Sequence, residues 1–145
     1  MNSIERIDIE ADSTSWNGNL IQSQTAAFSG TPLAGALSQK YIYFTMADQT
    51  IIQIDRNNPD MGSAVVRSTS LGVGSLNCMG VDQSNGYLYV GSSYGIAFKL
   101  HLIDLSLANV MFISGYSLES VVVDSTSGVA FWGTSNLAKV KTIRE

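Results

Sequence analysis

The residues that most often carry catalysis are scarce in this chain. Among its 145 residues there is one histidine, His101, and one cysteine, Cys78. We expect no serine nucleophile elbow and no cysteine–histidine pair. The Gly72–Gly74 segment lacks the lysine and hydroxyl residue that phosphate-binding loops need. His101 is expected to be exposed on a strand and Cys78 to be a small buried hydrophobic residue.

Acidic residues are more numerous, but their positions are typical of turns. They are Asp48, Asp55, Asp82, Asp104 and Asp124. A calcium loop needs several carboxylates close together, and the segments 83–85 and 125–127, Gln-Ser-Asn and Ser-Thr-Ser, supply none. One histidine and one cysteine are too few for a transition-metal site. The sequence therefore predicts no metal and no cofactor.

Two tryptophans suggest contact with a ligand or partner. Trp16 lies in a polar segment with Asn17 and Asn19, where an exposed aromatic ring beside amides could bind a sugar or a protein. Trp132 follows Phe131, so one ring of this pair must point away from a given face of its strand. Core packing is the alternative role for Trp132.

Composition narrows the class of protein. The net charge is −4, with 45% hydrophobic and 14% charged residues. This balance indicates one folded domain and argues against nucleic acid as a partner. No apolar run approaches 18 residues, so we expect no membrane insertion. The first ten residues lack the basic start and continuous apolar run of a secretory signal, and the compartment stays open.

The spacing of apolar residues predicts an all-β fold. Tyr41 and Tyr43 alternate with other residues, as do Tyr87 and Tyr89, and Ile4, Ile7 and Ile9 lie nearly every second residue. Between these segments lie polar runs with Asn, Ser and Gly that favour turns.

An internal repeat defines the organisation. A shift of 42 residues overlays 75–99 on 117–141, with eight of the 25 positions identical. Asp82, Gly86 and Gly91 in one copy match Asp124, Gly128 and Gly133 in the other. We expect the aspartates to cap turns, Gly86 and Gly128 to adopt positive φ, and Gly91 and Gly133 to lie close to a neighbouring strand. A weaker copy includes Tyr43. Four strands in about 40–45 residues is typical of a β-propeller blade.

The repeated segments 81–92 and 123–134 resemble the V-D-x-x-x-G-Y-x-Y-x-G-T blade signature of the YVTN/NHL-like propeller repeats. The resemblance covers roughly residues 36–143 and implies an all-β fold of four-stranded antiparallel blades. We divide one propeller domain, 1–145, into a closing strand (1–10), blade 1 (20–70), blade 2 (75–115) and an incomplete blade 3 (117–143). The signature does not specify a function, because propellers serve as enzymes, lectins and scaffolds.

Three blades are fewer than the four to eight of closed propellers. We expect residues 4–10 to form a strand without a partner in its own chain. This strand would pair with residues 140–143 of a second copy, so that a dimer completes a six-bladed ring. The alternative is that the chain is one part of a longer propeller and packs against other blades.

Two classes of function remain open. The first is a non-catalytic binding or assembly module, which presents loops to a protein or a glycan as a scaffold or lectin. The second is a propeller enzyme, such as a lactonase-like hydrolase or a lyase, in which acids would surround a central channel.

Overall fold

The computed structural model describes residues 3–8, 19–25, 30–58, 65–113, 115–135 and 140–144. Every regular element in these ranges is a β-strand, and the strands pair antiparallel, so the predicted all-β class is confirmed. The described part of the chain contains no helix long and apolar enough to cross a membrane.

Most strands form sheets in which each strand pairs with the next along the chain. The first such sheet consists of β3 (Pro32–Leu37), β4 (Tyr41–Met46), β5 (Thr50–Asp55) and β6 (Val65–Ser70). The second consists of β7 (Leu76–Asp82), β8 (Tyr87–Ser92), β9 (Ile96–His101) and β10 (Leu107–Phe112). The third has three strands, β11 (Leu118–Asp124), β12 (Val129–Thr134) and β13 (Val140–Arg144). We call these sheets A, B and C.

The N-terminal segment differs from its prediction. Strand β1 (Ser3–Asp8) pairs antiparallel with β2 (Asn19–Thr25), and Ser3 lies opposite Thr25. The prediction of an unpaired strand at 4–10 was therefore wrong. The sequence places residues 20–25 in blade 1, but β2 forms a separate two-stranded sheet with β1. Sheet A begins later than predicted, at Pro32.

The three larger sheets lie side by side through their first strands. Strand β3 neighbours β7, and β7 neighbours β11. Side chains along β8 point alternately to the two faces of sheet B, so the stacking of the three sheets buries apolar surface on both of these faces. Leu88 and Val90 lie in a hydrophobic cluster with Tyr43 of sheet A. Tyr89 lies in a second cluster with Trp132 of sheet C.

The outer faces of the stack are unlike each other. On sheet A, Met46, Ile52 and Ile54 are buried in a third hydrophobic cluster. On sheet C, Val122 and Phe131 are exposed, at 67% and 39%. Apolar side chains thus remain in contact with water at one end of the stack.

Candidate functional site

The two repeated aspartates lie at the ends of β7 and β11. Asp82 is 1% exposed, and its carboxylate accepts hydrogen bonds from the backbone N–H of Asn85 at 3.1 Å and from the Asn85 amide at 2.8 Å. Burial raises the pKa of Asp82, but hydrogen bonds from Asn85, Ser125 and the backbone outweigh it and lower the pKa. Because Ser125 belongs to the turn after β11, Asp82 also links sheet B to sheet C.

Asp124 occupies the same place in sheet C but is exposed. The Ser127 hydroxyl, which donates at 2.6 Å, together with the backbone N–H groups of Ser127 and Thr126, lowers its pKa. All of these partners belong to its own turn. Three further aspartates likewise accept backbone hydrogen bonds from residues two positions later; they are Asp48, Asp55 and Asp104. These side chains therefore stabilise turns rather than converge on one point.

The repeated glycines are explained by two kinds of constraint. The backbone φ angles of Gly86 and Gly128 are 77° and 64°, values that residues with a side chain rarely adopt. A Cβ on Gly91 would lie 2.6 Å from Cys78 Sγ and 2.9 Å from Trp132 Cζ3, and a Cβ on Gly133 would collide with the Ser120 hydroxyl. These residues therefore serve the packing of the strands.

The single cysteine and histidine do not form a reactive pair. Cys78 is buried between sheets B and C, and burial raises its pKa to about 12. Its thiol is therefore protonated at neutral pH and a poor nucleophile. The His101 ring lies against Tyr87, with centroids 5.1 Å apart. Among the described residues, no group of three or more histidine, cysteine, aspartate or glutamate side chains is placed to hold a metal ion.

The structure changes the interpretation of the predicted aromatic contacts. Trp132 is 1% exposed and belongs to the cluster between sheets B and C, so it is a core residue and does not contact a ligand. Along β12, Phe131 rather than Trp132 points to the face of sheet C that sheet B does not cover. Trp16 and Asn17 lie outside the described residues, and Asn19 begins β2. Their proposed role stays a prediction.

Two exposed tyrosines, which the sequence patterns did not identify, lie at the opposite end of the sheets from Asp82 and Asp124. Tyr94 is 64% exposed in the turn between β8 and β9, and Tyr116 is 46% exposed in the connection from β10 to β11. Because the strands are antiparallel, both segments lie at the same end of sheet B. We call this end, residues 30–31, 47–49, 71–75, 93–95, 113, 115–117 and 135, the tyrosine end. The sequence signal that could have identified Tyr94 is a tyrosine within a turn rich in glycine and serine.

Backbone and side-chain hydrogen bonds hold the tyrosine end in place. The N–H of Ser93 donates to Ser75 O at 2.8 Å, and the N–H of Ser75 donates to Ser93 Oγ at 3.0 Å. The N–H of Ile113 donates to Gly95 O at 2.8 Å, which joins the two tyrosine-bearing segments. The Tyr94 ring lies close to Gly74, since a Cβ added there would be 3.1 Å from the Cδ2 atom of the ring.

The segment Gly91–Gly95 spells Gly-x-Ser-x-Gly, contrary to the expectation from sequence. A nucleophile elbow joins a strand to a helix and exposes its serine at the bend. Here the segment joins two antiparallel strands, β8 and β9, and Ser93 Oγ accepts a hydrogen bond from the backbone of Ser75. The segment is therefore a hairpin turn.

Charge is distributed unevenly between the two ends. Among the described loop residues of the tyrosine end, Asp48 is the charged one. The opposite end, which we call the aspartate end, includes residues 38–40, 56–58, 83–86, 102–106 and 125–128 and the strand ends beside them. It carries charged residues of both signs, namely Lys40, Asp55, Arg56, Asp82, Asp104 and Asp124. Glu119, the second residue of β11, is also exposed beside these loops. The described part of the tyrosine end thus combines exposed aromatic rings and hydroxyl groups with two acidic side chains.

No protein-family model matches the chain, and no curated protein matches it.

Proposed function

We propose that sheets A, B and C are blades of the β-propeller type, and that the chain is a non-catalytic binding module whose tyrosine end binds a neutral glycan. Three adjacent meanders, joined through their first strands and related by a sequence repeat, support the propeller assignment. The blade signature in residues 81–92 and 123–134 is consistent with it.

Exposure of Tyr94 is the observation that carries the binding proposal. The residue is 64% exposed, although the surrounding turn is fixed by hydrogen bonds. A turn held in place by hydrogen bonds loses little conformational freedom when a ligand binds, and the apolar face of the Tyr94 ring can pack on the C–H groups of a sugar. Ser75, Ser93 and Ser117 supply hydroxyl groups nearby. Among the described loop residues of this end Asp48 is the charged one, which favours a neutral ligand.

A glycan array tests the proposal. The wild-type protein should bind a subset of neutral glycans, Tyr94→Ala should abolish that binding, and Tyr94→Phe, which keeps the ring, should retain most of it. Ile103→Ala is the matched control because Ile103 is 70% exposed at the aspartate end. All variants should unfold at the wild-type temperature.

Two results would contradict the proposal. The first is the absence of binding to any glycan on the array. A protein would then be the remaining candidate partner for this end. The second is equal loss of binding in Tyr94→Ala and Ile103→Ala.

A further inference from the structure

The turn between β7 and β8 contains a pair of residues that is prone to chemical change. Asparagine is followed by glycine at 17–18 and at 85–86, and the first pair lies outside the described residues. In such a pair the backbone nitrogen of the glycine can attack Cγ of the asparagine, because no Cβ on the glycine obstructs the approach. Asn85 is exposed, so water can reach the product of this attack. The turn thus contains the groups needed for deamidation.

Deamidation replaces the side-chain amide with a carboxylate. The Gly86 nitrogen forms a bond to Asn85 Cγ and loses its proton, while the bond from Cγ to Nδ2 breaks and ammonia leaves with that proton. Water then opens the cyclic imide at one of its two carbonyl groups. The product is aspartate, or isoaspartate where the chain continues through the former side chain. Water is the only co-reactant.

Hydrogen bonds in the folded turn oppose this attack. The Gly86 N–H donates to Asp82 O at 2.9 Å, and the Gly86 carbonyl accepts a bond from the Leu102 N–H at 2.9 Å. The Asn85 amide donates to Asp82 Oδ2 at 2.8 Å. Because the attack removes the Gly86 proton and turns the Asn85 side chain toward the backbone, these bonds must break first. The reaction therefore starts from molecules in which the turn has opened locally.

The equivalent turn of sheet C shows that this structure does not require an amide. Ser127 occupies the place of Asn85 and also precedes a glycine. The Ser127 N–H donates to Asp124 Oδ1 at 3.3 Å, and its hydroxyl donates to Oδ2 at 2.6 Å. Asn85 donates to the same two atoms of Asp82. Asn85→Ser should therefore keep the turn while it removes the reactive group.

Deamidation would place a second carboxylate against Asp82, at the atom to which the Asn85 amide now donates. Asp82 is almost completely buried and is also hydrogen-bonded by Ser125 of sheet C. Two carboxylates in contact repel each other, and burial leaves little water to screen them. The product thus loses a hydrogen bond at the residue that links sheets B and C.

We propose that Asn85 is a site of spontaneous deamidation, that the folded turn suppresses the reaction, and that the product weakens the contact between sheets B and C. Molecules in which the turn opens are altered irreversibly, because the product does not return to asparagine. The modification therefore accumulates in chains whose aspartate end has opened. The proposal does not depend on the glycan site.

Peptide mapping by mass spectrometry measures the reaction at this position. Full-length wild type and Asn85→Ser are incubated at mildly alkaline pH, in buffer and in guanidinium. In the wild type, deamidation of residue 85 should be at least about tenfold faster in guanidinium than in buffer, because the turn is then open. The same peptide of Asn85→Ser should show no deamidation at residue 85 in either solution, and this variant should unfold at the wild-type temperature.

Asn85→Asp tests the effect of the product. It should unfold at a temperature about 3 °C or more below that of the wild type and of Asn85→Ser. Ser127→Asp is the matched control, because it adds a carboxylate at the equivalent place beside Asp124, which is exposed, and should lower the temperature less. Deamidated wild type, separated by ion exchange, should unfold below the intact fraction. This second measurement decides the question if Asn85→Asp does not fold.

Four results would overturn the proposal. One is a rate of deamidation at residue 85 that is equal in buffer and in guanidinium. Another is the absence of deamidation there in both solutions. The third is a deamidated fraction that unfolds at the temperature of the intact protein. The last is an equal loss in Asn85→Asp and Ser127→Asp, which would show that the buried carboxylate of Asp82 has no special part.

Discussion

The Tyr43 hydroxyl of sheet A donates a 2.8 Å hydrogen bond to the backbone carbonyl of Leu102, which follows sheet B. The two residues are 59 positions apart, and the bond is buried. Gln53 donates to the same oxygen at 2.6 Å. This carbonyl therefore joins two adjacent sheets through polar contacts inside an apolar interface.

Removal of the Tyr43 hydroxyl should destabilise the protein modestly. In Tyr43→Phe the Leu102 carbonyl keeps its bond from Gln53, so no acceptor is left unpaired, and we expect a loss of about 1 kcal/mol in the free energy of unfolding. Urea titration measures it. Tyr94→Phe removes an exposed hydroxyl and should change that free energy by less than about 0.5 kcal/mol. Equal effects of the two substitutions would contradict the role of the bond.

Gly91→Ala should destabilise the interface between sheets B and C. The new methyl group would collide with Cys78, Leu118 and Trp132, and insertion of a methyl group into a packed core typically costs about 1–3 kcal/mol. Gly115→Ala is the control, since nothing lies within 4 Å of the position of its Cβ. Chemical denaturation of both variants measures the difference. Wild-type stability of Gly91→Ala would show that the two sheets are less closely packed.

The carboxylate of Asp82 should make folding sensitive to acid. Its pKa in the folded protein lies below the ordinary value of 3.8, so the ionised group contributes stability above that value, and this contribution is lost as the pH falls through the folded-state pKa. The difference in unfolding free energy between the wild type and Asp82→Asn should therefore be largest near neutral pH and shrink in acid. Asp48→Asn, an exposed change at the tyrosine end, is the control. A difference that grows in acid would have the wrong sign.

The Cys78 thiol should be almost unreactive in the folded protein. It is 5% exposed, and its pKa is about 12, so both access and the thiolate fraction are low at mildly alkaline pH. Iodoacetamide labelling followed by mass spectrometry should be slow in buffer and fast in guanidinium. Rapid labelling of the folded protein would show that the space between sheets B and C opens readily.

Sequence patterns predicted strand positions and turns better than they predicted partners. Alternation and the repeat located β8 and β12, because each carries its signal in neighbouring residues. The pattern at Phe131 and Trp132 shows that the rings point to opposite faces, but which face is covered depends on the adjacent sheet. The partner of β1 was missed because the pairing joins Ser3 to Thr25 across a segment with little apolar alternation.

The candidate site was harder to predict, for a related reason. Tyr94 and Tyr116 lie 22 positions apart in sequence, and only the antiparallel pairing of β9 and β10 brings their segments to the same end of sheet B. Single aromatic residues in turns carry no periodic signal. The amide residues near Trp16 are its neighbours in sequence, whereas the exposure of Tyr94 is a property of the folded chain.

Nuclear magnetic resonance mapping of a bound sugar measures directly whether the tyrosine end binds it. A neutral glycan selected on the array is titrated into labelled protein, and backbone amide shifts are followed. We predict concentration-dependent shifts at residues 93–95 and 115–117, with little change at 83–86 and 125–128 of the aspartate end. Shifts confined to the aspartate end, or none at the tyrosine end with any bound glycan, would contradict glycan binding at the tyrosine end.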